Sequence, residues 1–281
     1  MKIAILGNGT MGSGIAQVMS QANHDVIIKG RNQDKLDKAV SVVDKNLSRL
    51  VKKEKISEDD KAKVLSRIST SLNIEDLKDC DLIIEAIAEN MELKKSIFKE
   101  LDELCKEETI FATNTSSLSI TEIAASTNRP DKVIGMHFFN PVPVMKLIEV
   151  IKGIATSEET NNKIIELSKE IGKDPVSVCE APGFVVNRIL IPMINEAVGI
   201  LAENVATAED IDKAMQYGAN HPIGPLALAD LIGNDVCLAI MEVLYNEFGD
   251  SKYRPHPLLK KMVRANLLGR KTKKGFFDYN K

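Results

Sequence analysis

The feature that most limits how this chain can fold is Gly7-Asn8-Gly9-Thr10-Met11-Gly12. It is a G-x-G-x-x-G string set between the apolar run Lys2–Leu6 and the helical pattern Met11–Gln21. Alone, such a string says little. Between a strand and a helix, it is the turn that seats a dinucleotide pyrophosphate on a helix N-terminus. Gly7 allows the tight turn, Gly9 lets the pyrophosphate approach the backbone, and Gly12 lets helix and strand pack closely. Thr10 and Met11 open the helix beside the same anion. A nicotinamide dinucleotide is the expected cofactor.

The rest of the first two-thirds keeps the same rhythm. Val26–Ile28, Leu82–Glu85, Thr109–Thr113 and Lys132–Met136 read as buried strands, and Met91–Cys105 reads as a helix between two of them. Alternation of this kind predicts a mostly parallel sheet with helices on both faces. Residues 33–66 depart from it, being long, highly charged and helical in pattern. Ser57, followed by Glu-Asp-Asp, reads as the N-cap of a second helix. A helical hairpin inserted into the sheet domain is therefore expected. Leu147–Ile151 and Pro175–Val178 are two further strand candidates, around a helix at Glu158–Gly172. Ala181-Pro182-Gly183 then breaks the pattern, and only helices follow, at about 185–203, 207–217, 226–248 and 256–267. The expected fold is α/β: a Rossmann-like dinucleotide-binding domain over 1–182 with a helical hairpin insertion, then an all-α domain over 183–281.

The end of the second strand bears on which dinucleotide is taken. An acidic residue there accepts hydrogen bonds from the adenosine ribose of NAD. Here Val26-Ile27-Ile28-Lys29 leads into Gly30, with Arg31 after it and Lys35 one turn further. Loss of the carboxylate removes repulsion against a 2′-phosphate, and a guanidinium supplies a fork for it. NADP(H) is the expected preference, with NAD(H) as the alternative.

Composition narrows the partners. With 44% apolar residues in 281, a sizeable core is available, and the net charge of −3 argues against general nucleic-acid binding. No run of about 18 apolar residues marks a membrane span, and the N-terminus reads as a strand rather than a secretory leader. Cys80, Cys105, Cys179 and Cys237 lack metal-type spacing and read as reduced thiols of a cytoplasmic protein; no metal is expected.

Four polar residues stand where loops meet strand or helix ends: Ser116, His137, Glu149 and Asn187. Each has an ordinary structural reading, as turn, lone histidine, surface charge or helix cap. Glu149 is the least ordinary, because Leu147, Ile148, Val150 and Ile151 around it suggest a carboxylate on a buried strand, which needs a partner.

Together, several blocks resemble the short-chain L-3-hydroxyacyl-CoA dehydrogenases, and within them the bacterial 3-hydroxybutyryl-CoA dehydrogenases. The blocks are Asn114-Thr115-Ser116-Ser117, Gly135-Met136-His137-Phe138-Phe139-Asn140-Pro141, the strand with Glu149, Pro182-Gly183-Phe184-Val185-Val186-Asn187-Arg188 and His221-Pro222-Ile223-Gly224-Pro225. The tail adds Gly269-Arg270-Lys271 and Gly275-Phe276-Phe277. They run in the family's order over essentially the whole chain.

The resemblance implies an oxidoreductase that interconverts (S)-3-hydroxybutyryl-CoA and acetoacetyl-CoA. By it, His137 is the general acid/base, Glu149 orients its ring, Ser116 hydrogen-bonds the reacting oxygen and Asn187 positions it. By it also, Glu89, Lys94, Asn114 and Asn140 line the nicotinamide and its ribose, and Lys271 belongs with the cofactor contacts. The helical hairpin would meet the CoA phosphates, for which Arg49, Lys52, Lys53 and Lys55 are suitable cations, although a charge run is commonly a solvated helix face. The helical domain would complete the substrate site and make a homodimer or higher homo-oligomer. The chain departs from the family at Asn8, where alanine is usual, at Gly30, where aspartate is usual, and at Phe277, where tyrosine is common. Two other readings stay open: a dehydrogenase of a free hydroxy or sugar acid, and a cofactor-binding protein without turnover. No hydratase-sized region accompanies these blocks, so a single activity is expected.

Overall fold

The computed structural model describes residues 1–280. Eight strands make one sheet: β1 (Lys2–Leu6), β2 (Asp25–Lys29), β3 (Ile68–Ser71), β4 (Leu82–Glu85), β5 (Ile110–Thr113), β6 (Val133–Phe138), β7 (Leu147–Lys152) and β8 (Asp174–Cys179). Their order is β3-β2-β1-β4-β5-β6-β7-β8. Neighbours run parallel except β6 and β7, which are antiparallel. All residues of β4, β5 and β6 are buried, as strands of a parallel sheet covered on both faces must be.

Alternation along the strands splits the packing between the faces. Ile110 and Ala112 of β5 join Ile15 and Met19 of α1 (Thr10–Gln21) and Ile164 and Leu167, which come from a later helix (Glu158–Glu170). Phe111 points the other way, edge-on to Phe98 at 5.9 Å between ring centres. The hairpin consists of α2 (Gln33–Lys52) and α3 (Glu58–Ser66). The buried residues of α2 are Leu36, Ala39, Val43 and Leu47, spaced along one helix face. Leu36 and Ala39 belong to the sheet core, whereas Val43 and Leu47 pack with Val64 of α3 in a small core of their own. Ser57 caps α3 in a capping box, its hydroxyl accepting from the Asp60 N–H at 3.0 Å while Asp60 accepts from the Ser57 N–H at 3.1 Å.

Beyond the hairpin come α4 (Met91–Leu104), which carries Phe98, α5 (Ile120–Ala124) and α6 (Glu158–Glu170), all in the first of two compact units, which ends at Ala181. The second unit begins at Pro182 and is helical: α7 (Val186–Ala202), α8 (Ala208–Gly218), α9 (Pro225–Ile232), α10 (Asn234–Phe248) and α11 (Pro257–Arg264). Ile194, Val198, Leu226, Met241 and Leu244 lie at its centre.

Several details differ from the sequence reading, among them α5, which it lacked. β3 had no counterpart there: it is a short sheet-edge strand, Ile-Ser-Thr-Ser, without an apolar run. The expected helix over 226–248 is two helices, because Gly233 has φ of 108° between α9 and α10. The last helix likewise stops at Arg264, ahead of Asn266 in the left-handed region.

Candidate active site

The glycine turn sits at the C-terminal edge of the sheet, between β1 and α1, where the strand order reverses from β2 to β4. Gly7 has φ of 121°, and a Cβ there would stand 2.3 Å from the Ala86 carbonyl oxygen. A Cβ on Gly12 would stand 1.9 Å from the Gly7 carbonyl oxygen. Gly9 is different: nothing lies within 4 Å of its would-be Cβ. Gly9 is also the N-cap of α1, with no side chain capping it and no acidic residue in the first turn, where Thr10 and Met11 stand. An open approach to an uncapped helix N-terminus suits a pyrophosphate, so the turn fits the dinucleotide.

At the end of β2, Gly30 is buried, and a Cβ on it would come within 2.8 Å of the Leu36 Cδ2 and 3.3 Å of the Asn8 Nδ2. A side chain at this position would therefore have to displace Leu36. Arg31 and Lys35 are exposed, and Asn32 caps α2 by accepting from the Lys35 N–H.

β6 and β7 carry His137 and Glu149. Their antiparallel register sets His137 opposite Glu149, and His137 Nδ1 lies 2.8 Å from Glu149 Oε2. Both are buried, at 6% and 1% exposure, so neither is a surface charge. A carboxylate only accepts, so the Nδ1–H donates to it. Beside them, the Asn114 side-chain oxygen accepts from the Phe138 N–H at 2.8 Å, and the Phe139 ring lies 4.5 Å from the imidazole. Asn140 is exposed on the following connection, whose Val142 and Met145 carbonyls accept from the buried Lys173 ammonium. Burial holds Lys173 below the ordinary lysine range.

Ser116 belongs to a second group. Glu89 accepts from the Ser116 N–H at 2.8 Å, the Ser116 hydroxyl at 3.2 Å and the Thr115 hydroxyl at 2.5 Å. Its other oxygen lies 3.3 Å from Lys94 Nζ. Lys94 is 1% exposed and reaches both oxygens of Glu85 at 2.7 Å. Sequence reasoning gave Glu89 and Lys94 site roles and passed over Glu85. Its signal was akin to that of Glu149: a carboxylate on an otherwise apolar strand, here at the strand's end.

Arg49, Lys52, Lys53 and Lys55 are all exposed near the α2–α3 turn, and none is ion-paired among the described residues. Asn187 lies in the helical unit, buried in the first turn of α7, where Val185 rather than Asn187 is the N-cap. It follows a turn in which Gly183 and Phe184 both have positive φ. Lys271 is exposed and forms an ion pair with Asp235.

Two motifs of that unit have structural work. Asp212 accepts from the Leu226 and Ala227 N–H groups, both at 2.9 Å, and caps α9 from α8; Gly224 is required because a Cβ would overlap Asp212. Burial raises the Asp212 carboxyl despite these bonds. Asp230 receives the Phe276 and Phe277 N–H groups and the Tyr279 hydroxyl, which fixes the Gly275-Phe276-Phe277 tail.

Residues 2–181 match the NAD-binding domain of 3-hydroxyacyl-CoA dehydrogenases, and residues 183–279 match the C-terminal domain of the same enzymes. Over 281 residues the chain is 67% identical to 3-hydroxybutyryl-CoA dehydrogenase of Clostridioides difficile, covering 100% of both. It is 42% identical to the human mitochondrial hydroxyacyl-coenzyme A dehydrogenase, over 99% of the chain and 90% of the relative. The crystal structure of (S)-3-hydroxybutyryl-CoA dehydrogenase PaaH1 from Ralstonia eutropha superposes with a TM-score of 0.97 at 52% identity, covering 100% of this chain and 99% of that one.

Proposed function

The chain belongs to the 3-hydroxyacyl-CoA dehydrogenase family, and from that premise we propose that it interconverts (S)-3-hydroxybutyryl-CoA and acetoacetyl-CoA with His137 as its acid/base. It is an oxidoreductase with a nicotinamide-dinucleotide-binding domain. The observation that carries the acid/base role is the buried 2.8 Å contact between His137 Nδ1 and Glu149.

Glu149 fixes the imidazole tautomer and the orientation of its ring. In oxidation, His137 Nε2 takes the proton of the 3-hydroxyl; in reduction, it returns a proton to the oxygen of the former ketone. Ser116 donates to that oxygen as charge develops on it, and Asn187 helps to position it. When bound, the nicotinamide supplies the acceptor or donor of the hydride at carbon 3. Gly7, Gly9, Thr10, Met11 and Gly12 hold the pyrophosphate. Asn114, Asn140, Glu89 and Lys94 line the nicotinamide end, and Lys271 joins the cofactor contacts.

NADP(H) is the preferred cofactor in this reading. An added carboxylate at Gly30 would meet Leu36, and Arg31 and Lys35 offer exposed cations where a 2′-phosphate would lie. Arg49, Lys52, Lys53 and Lys55 receive the CoA phosphates. The exposed Ile189, Val205, Tyr217 and Leu231 support association of the helical unit with a second copy. Four free thiols fit a cytoplasmic setting.

The test follows nicotinamide absorbance during reduction of acetoacetyl-CoA, with NADPH and NADH separately. Wild-type protein turns over faster with NADPH. His137→Ala loses about a hundred- to ten-thousand-fold in kcat. A preference for NADH discards the cofactor inference alone; full activity in the variant discards His137.

A further inference from the structure

Glu85 has no part in the chemistry described so far, yet it is the only carboxylate of β4 and is fully buried at the sheet's C-terminal edge. Its bonds are unusual in what they join. Oε1 accepts from the Ile87 N–H and from Lys94 Nζ, both at 2.7 Å. Oε2 accepts from Lys94 Nζ at 2.7 Å and from the Thr113 hydroxyl at 2.6 Å. Its carbonyl accepts from the Asn114 N–H at 2.7 Å.

Each partner leads to the same place. Ile87 is two residues before Glu89, and Thr113 is three before Ser116. Lys94 touches Glu89 itself. Glu85 thus grips both chain segments whose side chains meet at the Glu89–Ser116 contact, and through Lys94 it also grips the carboxylate that makes it. Thr113 adds a bond of its own, its hydroxyl accepting from the Thr115 N–H at 3.3 Å.

Stability alone does not explain the group. A buried ion pair seldom adds net stability over apolar side chains of similar size, because both ions must leave water. Here Lys94 and Glu85 are such a buried pair, and Lys94 also reaches the exposed Glu89. What such a closed network does supply is a fixed geometry.

We infer that Glu85 is a positioning residue that holds Ser116 in place through Lys94 and Glu89. The inference rests on the reaction proposed above in giving Ser116 a bond to the reacting oxygen. The link from Glu85 to Ser116 rests on the contacts alone. A misplacement of about 1 Å at a reacting group costs on the order of a hundredfold in rate. Loss of the grip therefore shows in kcat more than in KM.

Glu85→Gln keeps the shape and removes the charge. Thr113→Val removes one bond to Glu85 and serves if the first variant folds poorly. Each is combined with Ser116→Ala. Two quantities are read: hydrogen exchange of the peptide carrying the Ser116 amide, by mass spectrometry, and kcat and KM for acetoacetyl-CoA. The expected result is faster exchange at that peptide, kcat lowered roughly tenfold to a hundredfold with KM little changed, and double variants no slower than Ser116→Ala alone. Unchanged exchange at Ser116 overturns the inference whatever the activity. Additive losses in the double variants overturn it too, since a general loss of structure would add. If wild-type protein is inactive toward acetoacetyl-CoA, the reaction falls, and the exchange result still decides whether Glu85 holds Ser116.

Discussion

Cys80, Cys105 and Cys237 are buried, and Cys179 is exposed. Removal from water disfavours the thiolate, and burial pushes Cys80 and Cys105 up to about 11 and Cys237 up to about 12. At mildly alkaline pH, iodoacetamide is expected to label one thiol per native chain, Cys179, and all four in denaturant. Intact-mass spectrometry counts the labels, and a second label on native protein contradicts the burial. Turnover survives the single label, since no cysteine takes part in the proposed chemistry. At this scale the site was partly legible. Glu149 could be singled out because four apolar neighbours made its charge anomalous. Leu82-Ile83-Ile84-Glu85 carries the same anomaly, but a carboxylate at the last position of a strand also reads as a surface group. Only the strand order, which sets β4 between β1 and β5, shows that Glu85 is inside. Sequence spacing likewise could not pair Glu89 with Ser116, because their contact depends on two parallel strands ending together.

Strands and helices with a strong apolar period were legible nearly to the residue, because burial on both faces leaves few alternatives. β3 was not, since a four-residue edge strand buries little; it is held by its ladder to β2. The α9–α10 break was hidden because apolar residues continue across it, and only the positive φ of Gly233 ends the first helix. α4 shows how an element is fastened beyond its apolar face. Asp102, buried in its last turns, accepts from the Asn128 N–H at 2.7 Å, the Asn128 side chain at 2.8 Å and the Arg129 Nε at 2.6 Å. Desolvation pushes this carboxyl up, but the bonds from Asn128 and Arg129 outweigh it and hold it below the ordinary carboxylate range. A lowered folded-state value means the unfolded chain takes up the proton first. The stabilisation is therefore complete above the ordinary carboxylate range and is lost as pH falls through the lower folded value. Asp102→Asn should lower stability by about 1–3 kcal/mol at neutral pH. Urea unfolding of both proteins across a pH series checks it: the difference between them stays constant down to about pH 5 and shrinks below about pH 4. A difference independent of pH would mean that packing, not the charge, fastens α4.

Charge is distributed so that the molecule as a whole is mildly acidic, at net −3, while the hairpin turn is basic. Arg49, Lys52, Lys53 and Lys55 fall within seven residues with one acid, Glu54, among them, and Glu58, Asp59 and Asp60 open α3 just beyond. On a neutral solvated face such a run would have no consequence for turnover. If it receives the phosphates of CoA, its contribution is an attraction between exposed charges, and these are screened over about 8–10 Å at physiological salt. The KM for acetoacetyl-CoA should then rise several-fold, roughly, between ~0.05 M and ~0.5 M potassium chloride, with kcat nearly constant. Replacing Arg49, Lys52, Lys53 and Lys55 together by serine should raise KM at low salt and flatten the salt dependence. The N-acetylcysteamine thioester of acetoacetate lacks the phosphates, so its KM should respond neither to salt nor to these substitutions. The three measurements separate the alternatives. A salt-dependent KM that persists in the serine variant places the phosphate contacts elsewhere on the molecule. A KM independent of salt in wild-type protein makes the basic turn a solvated face. A thioester fragment used as well as the full acyl-CoA removes the reason to assign the hairpin to the substrate at all, and returns the free hydroxy acids to consideration.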